Sequence, residues 1–177
     1  GFCDEVSTDS QAPGGGSVAA LCLAISGELS SMVANLTFGK KGYEKVQAEV
    51  RKYAEEGQSI KERAISAVDE DTQAFYVMMD AMKLPKKTDE EKAIRVEAME
   101  VATKDAILIP LKTLEICWEA VLLAEKVAVV GNTNALSDAG VAALTANAGA
   151  KAAYLNVMIN MAGINDENFK RKKYSIL

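Results

Sequence analysis

From Tyr43 onward, apolar and small residues recur at alternating steps of three and four: Tyr43, Val46, Val50, Tyr53, Gly57, Ile60, Ala64, Ala67, Asp71, Ala74 and Met78. That spacing holds one face of a long helix in register and describes the seam of a bundle or coiled coil. The exception to the apolar pattern is Asp71. A carboxylate aimed into a packed seam loses solvation, which favours its protonated form and predicts a raised pKa. Two readings are open for it: a structural aspartate hydrogen-bonded to a neighbouring helix, or a group placed for proton transfer.

The same pattern sets the other elements. The seam predicts a helix from Tyr43 to about Met82, stopped at Leu84-Pro85 because the residue before proline is pushed out of the helical region. Upstream, a polar lead from Asp4 to Gln11 closes in Pro13-Gly14-Gly15-Gly16-Ser17, and Ser17 reads as the N-cap of a helix running to about Leu36. Phe38-Gly39-Lys40-Lys41-Gly42 breaks that helix. Thr88-Asp89-Glu90-Glu91 has the form of a capping box and opens a helix to about Val130, in which Pro110 predicts a kink or a split. After a loop at Gly131-Asn132-Thr133-Asn134, Ser137-Asp138 opens a last long helix to about Met161. Strand signals are almost absent. The reading is all-α: one domain over residues 1–177, an up-and-down bundle of five or six helices with one very long member. A seam of this length spans roughly 50 Å at about 1.5 Å per residue. A globule of this chain length is about 35–40 Å across, from a radius of gyration of about 16 Å. The long helix therefore projects or is covered by a second copy, and a homodimer is expected.

Composition narrows the chemistry. The 177 residues include no histidine, which removes Ser-His-Asp and Cys-His catalysis and every histidine-bearing metal motif, and no metal site is expected. Twenty basic against 25 acidic residues give a net charge of −5, without the basic footprint of a nucleic-acid binder. Lys40-Lys41, Lys86-Lys87 and Lys170-Arg171-Lys172-Lys173 are short clusters that read as solvated surface, though one could hold a substrate carboxylate. Cys3, Cys22 and Cys117 share no CxxC spacing; Cys22 and Cys117 read as small core residues in a reducing, cytoplasmic setting. Val18 to Leu36 is interrupted by Glu28 and several serines and reads as a buried helix, not a membrane span.

Three further groups bear on function. The loop Gly14-Gly15-Gly16-Ser17 at a helix start reads as an anion cradle or an ordinary turn; it is neither a Walker loop nor a dinucleotide fingerprint. Asp69 and Asp71 diverge on a helix and form no carboxylate pair. Asn156 and Asn160 share a face, and their amides suit either a heterocycle with mixed hydrogen-bonding edges or contacts between helices. Asp138 belongs first to a helix start and second to a site.

The run Gln11-Ala12-Pro13-Gly14-Gly15-Gly16-Ser17-Val18-Ala19-Ala20-Leu21 resembles the cyclodeaminase domain of the formiminotransferase-cyclodeaminase family. So do Met32-Val33-Ala34-Asn35-Leu36-Thr37, Gly39-Lys40-Lys41, Val68-Asp69-Glu70-Asp71-Thr72-Gln73-Ala74-Phe75, Ile109-Pro110-Leu111, Ser137-Asp138-Ala139-Gly140-Val141-Ala142-Ala143 and Asn156-Val157-Met158-Ile159-Asn160. The resemblance covers nearly the whole chain in order. It implies a helical, dimeric folate enzyme with no permanently bound cofactor and a tetrahydrofolate derivative as substrate. Members close 5-formiminotetrahydrofolate to 5,10-methenyltetrahydrofolate with loss of ammonia, or interconvert the methenyl form with 10-formyltetrahydrofolate. Both reactions share the methenyl folate and one proton shuttle, so both stay open here. The family's catalytic aspartate falls on Asp71. Gly14, Gly15, Gly16, Ser17, Lys40 and Lys41 are then expected on the carboxylate-bearing tail, and Asp138, Asn156 and Asn160 at the pterin and its polar edges. A formiminotransferase domain or partner fits the same family. The rival outside enzymology is a non-catalytic helical dimerisation module in which Asp71 only sets helix register.

Overall fold

The chain turns back on itself three times, so that four long helices stand side by side. A computed structural model describes residues 1–175. Its helices are α1 (Phe2–Val6), α2 (Gly15–Thr37), α3 (Gln47–Lys83), α4 (Asp89–Val130), α5 (Leu136–Met161) and α6 (Glu167–Tyr174), with short 3-10 turns at Glu44–Val46 and Thr133–Ala135. The described residues contain no strand.

Cross-bundle contacts fix the directions. Ser17 at the start of α2 meets Asp71 late in α3, whereas Ser31 meets Ala54 early in α3, so the two helices run antiparallel. Glu56 with Lys126, Arg63 with Glu119 and Glu70 with Lys112 set α3 antiparallel to α4. Asn160 with Ala106 sets α5 antiparallel to α4. The result is the expected up-and-down bundle.

Small residues let the helices approach. A Cβ built on Gly57 would lie 2.5 Å from the carbonyl oxygen of Gly27, and one on Gly27 would lie 2.7 Å from that of Gly57. Beside this crossing the Ser31 hydroxyl donates to the Ala54 carbonyl at 2.7 Å. On the other flank of α2, a Cβ on Gly149 of α5 would come within 2.9 Å of the Ala19 carbonyl oxygen. Backbone atoms cannot swing aside as a side-chain tip can, so Gly57→Ala is expected to destabilise the protein by about 1–3 kcal/mol, the usual range for overpacking. Urea unfolding monitored by circular dichroism checks this. The core contains Leu23, Val33, Val50, Ile60, Ile116, Leu123 and Val127. Among the described residues α2 is the one helix long and apolar enough to cross a membrane; its buried residues, from Gly16 to Thr37, pack inside this bundle.

Several boundaries differ from expectation for physical reasons. Gly14, not Ser17, stands at the N-cap of α2, because the Ser17 hydroxyl is turned inward to a carboxylate. The seam begins as a 3-10 turn and becomes α-helical only at Gln47. The Thr88 capping box forms as predicted, with Glu91 N–H donating to Thr88 Oγ1 and Thr88 N–H donating to Glu91 Oε2, both at 3.1 Å. Pro110 does not divide α4, which runs unbroken over 42 residues. Helix α5 opens at Leu136, one residue before Ser137, after a turn capped by Asn132, whose side chain accepts from Asn134 N–H. Two short helices, α1 and α6, lie where a polar lead and a solvated basic cluster were expected.

Candidate functional site

Proline has no N–H to give, so Pro110 leaves the carbonyl of Ala106 without its helical donor. The Nδ2 of Asn160 on α5 supplies that donor at 2.9 Å. One side chain thus keeps α4 continuous and fixes the spacing between α4 and α5. Asn160→Leu removes the donor and is expected to cost about 1 kcal/mol, the usual net worth of a hydrogen bond at a partly buried site. Thermal unfolding of the variant checks it. Asn156, one turn earlier, donates Nδ2 to the Ala152 carbonyl of its own helix at 2.8 Å.

These amides form one wall of a cavity of about 290 Å³ whose lining includes Gln11, Gly14, Gly15, Gly16, Asp71, Phe75, Met78, Asn156 and Asn160. Each element contributes for a local reason. The glycine loop enters α2 here, and Gly15 lies so close to Asn156 that a Cβ would be 3.2 Å from its Nδ2. Gly16 faces the Asp71 carboxylate directly; a Cβ there would overlap Oδ1 and stand 2.6 Å from Cγ. Ser17, fully buried, donates its hydroxyl to Asp71 Oδ2 at 2.8 Å and lies 3.4 Å from the hydroxyl of Thr72.

Asp71 is therefore held from two sides. Ser17 fixes one carboxylate oxygen, and the glycine backbone leaves the other beside the cavity. The seam is not closed around it as the spacing implied. The packing opens at Asp71, and Asp71, Ala74 and Met78 line the cavity, so the carboxylate is half-buried. A fixed carboxylate with an accessible oxygen, flanked by the two amides of Asn156 and Asn160, can take a proton from a bound nucleophile and return it to a leaving group. Asp69, as expected, points elsewhere: it is exposed and borders a different hollow with Asp105. A second cavity, of about 530 Å³, shares Gln11, Gly14, Gly15 and Asn156 and extends the space toward Leu155. Together the two suit a flat heterocycle with an attached chain.

The remaining candidates lie apart. Lys40 and Lys41 are exposed in the turn that follows α2, and Asp138 is half-buried in the first turn of α5. Both places are at the opposite end of the bundle, roughly 35 Å from the glycine loop at about 1.5 Å per residue of α2. At that far end Thr133 N–H donates to the Tyr43 hydroxyl at 3.1 Å; this bond, with Lys40 nearby, holds the phenol below its ordinary pKa.

The wall residues that the sequence reading did not name as site members include Gln11, Phe75 and Met78. Phe75 and Met78 carried a signal, since both follow Asp71 by about one and two helical turns. The largest cavity, about 850 Å³ between α4 and α5, is lined chiefly by apolar side chains such as Leu111, Trp118 and Leu144, with Glu115 its one ionisable carboxylate. It lacks the convergent polar groups that single out the Asp71 cavity. Cys117 also borders it, buried as predicted, with desolvation pushing its thiol up to about 12.

Known proteins align with the whole of this arrangement. Residues 1–175 match the formiminotransferase-cyclodeaminase family. A methenyltetrahydrofolate cyclohydrolase of Methylorubrum extorquens is 41% identical over 172 residues, covering 97% of this chain and 83% of that protein. A formimidoyltransferase-cyclodeaminase of Mus musculus is 36% identical over 98% of this chain. The chain spans only about a third (32%) of the length of that relative. Among solved structures, formiminotetrahydrofolate cyclodeaminase of Thermotoga maritima superposes with a TM-score of 0.87 at 31% identity, covering 99% of this chain and 84% of that one.

Proposed function

The chain belongs to the formiminotransferase-cyclodeaminase family, and from that premise we propose that it closes 5-formiminotetrahydrofolate to 5,10-methenyltetrahydrofolate, releasing ammonia. The observation that carries this reading is Asp71, pinned by Ser17 and by the bare backbone of Gly16 at the wall of a cavity lined with amides. N10 of the folate attacks the carbon of the formimino group, protonated on its imino nitrogen, forming the new C–N10 bond. Asp71 takes the N10 proton and delivers it to the former imino nitrogen. The bond from carbon to that nitrogen then breaks, ammonia departs, and the cationic methenyl bridge remains. Asn156 and Asn160 hold polar edges of the pterin, and the glycine loop approaches the substrate closely because it presents no side chains there.

The second reading is supported by the cyclohydrolase of Methylorubrum extorquens, 41% identical to this chain. In it water attacks the methenyl carbon and Asp71 takes one water proton and returns it to N5; the C–N5 bond then breaks as the remaining hydroxyl proton is released to solvent, leaving 10-formyltetrahydrofolate. A steady-state assay with each substrate separates the two. Growth of the methenyl absorbance from 5-formiminotetrahydrofolate supports cyclodeaminase; its decay from added methenyltetrahydrofolate, with no growth in the first assay, supports cyclohydrolase. Turnover of neither contradicts both. The cyclodeaminase reading places the chain in the one-carbon branch of histidine degradation, in the cytoplasm, as a homodimer beside a formiminotransferase domain or partner.

A further inference from the structure

A threonine inside a helix can turn its hydroxyl back onto the carbonyl one turn earlier. Thr37, Thr103, Thr113 and Thr145 all do so here, at 2.7 to 3.2 Å. Thr72, late in α3, does not. Among the described residues its hydroxyl meets only Ser17 Oγ, at 3.4 Å, the same atom that donates to Asp71 Oδ2 at 2.8 Å. Ser17 is fully buried, Thr72 is half-buried, and neither lines the Asp71 cavity. Any effect of the two hydroxyls on a substrate must therefore pass through the Asp71 carboxylate.

Counting hydrogens fixes the order of donors. Ser17 Oγ carries one hydrogen and two lone pairs, and an ionised carboxylate can only accept. A bond to that carboxylate is about twice as strong as one between neutral groups, so the Ser17 hydrogen goes to Asp71. Thr72 is then the donor to Ser17. The chain runs from Thr72 Oγ1–H to Ser17 Oγ, and from Ser17 Oγ–H to Asp71 Oδ2, each bond polarising the next. Its outer link is long, as hydrogen bonds at catalytic sites often are before substrate tightens them.

We propose that Thr72 and Ser17 form a hydroxyl chain that reserves Asp71 Oδ1 for proton transfer, with Thr72 a positioning residue that acts through Ser17. The proposal rests on the functional reading above. The two oxygens of a free carboxylate are equivalent, and a proton caught on Oδ2 would face the buried Ser17, out of reach of the leaving nitrogen. With Oδ2 occupied by the Ser17 hydrogen, the proton taken from N10 arrives at Oδ1, beside the cavity. From Oδ1 it passes to the former imino nitrogen. No donor among the described residues competes for Oδ1. While Oδ1 holds the proton, Oδ2 is carbonyl-like and still accepts from Ser17, so the chain keeps one arrangement through the whole exchange. Such fixed donors cost no reorganisation at the moment of reaction.

Two experiments test the proposal. Thr72→Val keeps the outline of the side chain and removes the donor. Its kcat is expected to fall about five- to tenfold, the rate equivalent of one neutral hydrogen bond, with KM close to parental because Thr72 does not line the cavity. Thr72→Ser keeps a hydroxyl and is expected to recover most of the rate. In a Ser17→Ala background the chain is already cut, so adding Thr72→Val lowers kcat no further. Parental kcat in Thr72→Val, an equal loss in Thr72→Ser, or the full further loss in the Ser17→Ala background each overturns the proposal. Urea unfolding of the parent, the two single variants and the double variant reads the contact without any folate. Bonded hydroxyls give a double-variant midpoint shift smaller than the sum of the single shifts; strictly additive shifts overturn the chain. If the parent turns over neither folate, the functional reading falls and the role in proton transfer with it, while the urea cycle still reports the hydroxyl chain separately.

Discussion

Asp71→Asn leaves the bundle folded and slows turnover by about 10²–10⁴-fold, the range a positioned acid–base group contributes. The prediction follows from how the carboxylate is held. Ser17 donates to Oδ2 at 2.8 Å, and an amide oxygen placed there accepts the same bond. Shape and the local hydrogen bond therefore survive, and what is lost is the ability to take and return a proton. A structural aspartate that only sets helix register would give the reverse: turnover little changed and a large fall in stability. Measuring kcat beside the thermal midpoint distinguishes the two roles, since each predicts a change in only one quantity.

Gly16→Ala has the second-largest expected effect, through displacement instead of chemistry. The added Cβ would occupy the place of the Asp71 carboxylate. Asp71 is short and tied to Ser17, so it has little freedom to give way without breaking that bond and leaving its aligned position. A displacement of about 1 Å costs on the order of 10²-fold in rate. Gly16 is helical, and alanine is the better helix former by about 1 kcal/mol, which offsets part of the steric strain. The expected signature is a large fall in kcat with a small change in melting temperature. Parental kcat in Gly16→Ala would mean that the close approach of α2 to Asp71 carries no catalytic weight.

The sequence made the helical architecture and Asp71 legible because both rest on periodicity: a three-and-four repeat fixes a face, and one carboxylate on that face stands out. Local chemistry was legible where it stays within a few residues, as in the Thr88–Glu91 box. It was not legible where a tertiary partner takes the group over. Ser17 has the composition of a cap, yet its hydroxyl is claimed by Asp71 from another helix. Pro110 has the composition of a break, yet Asn160 repairs the ladder from α5. The opening of the seam at Asp71 likewise depends on glycines 55 to 57 positions away, which no local window connects. Lys40, Lys41 and Asp138 were grouped with Asp71 by resemblance, and one copy of the chain holds them at its other end.

The most direct measurement is a stopped-flow record of methenyltetrahydrofolate absorbance when the purified protein meets 5-formiminotetrahydrofolate, with Asp71→Asn run under the same conditions and folate binding measured for both. The account predicts rapid growth of absorbance for the parent, and binding without ring closure for Asp71→Asn. Equal closure rates for the two proteins would contradict the assignment of the chemistry to Asp71.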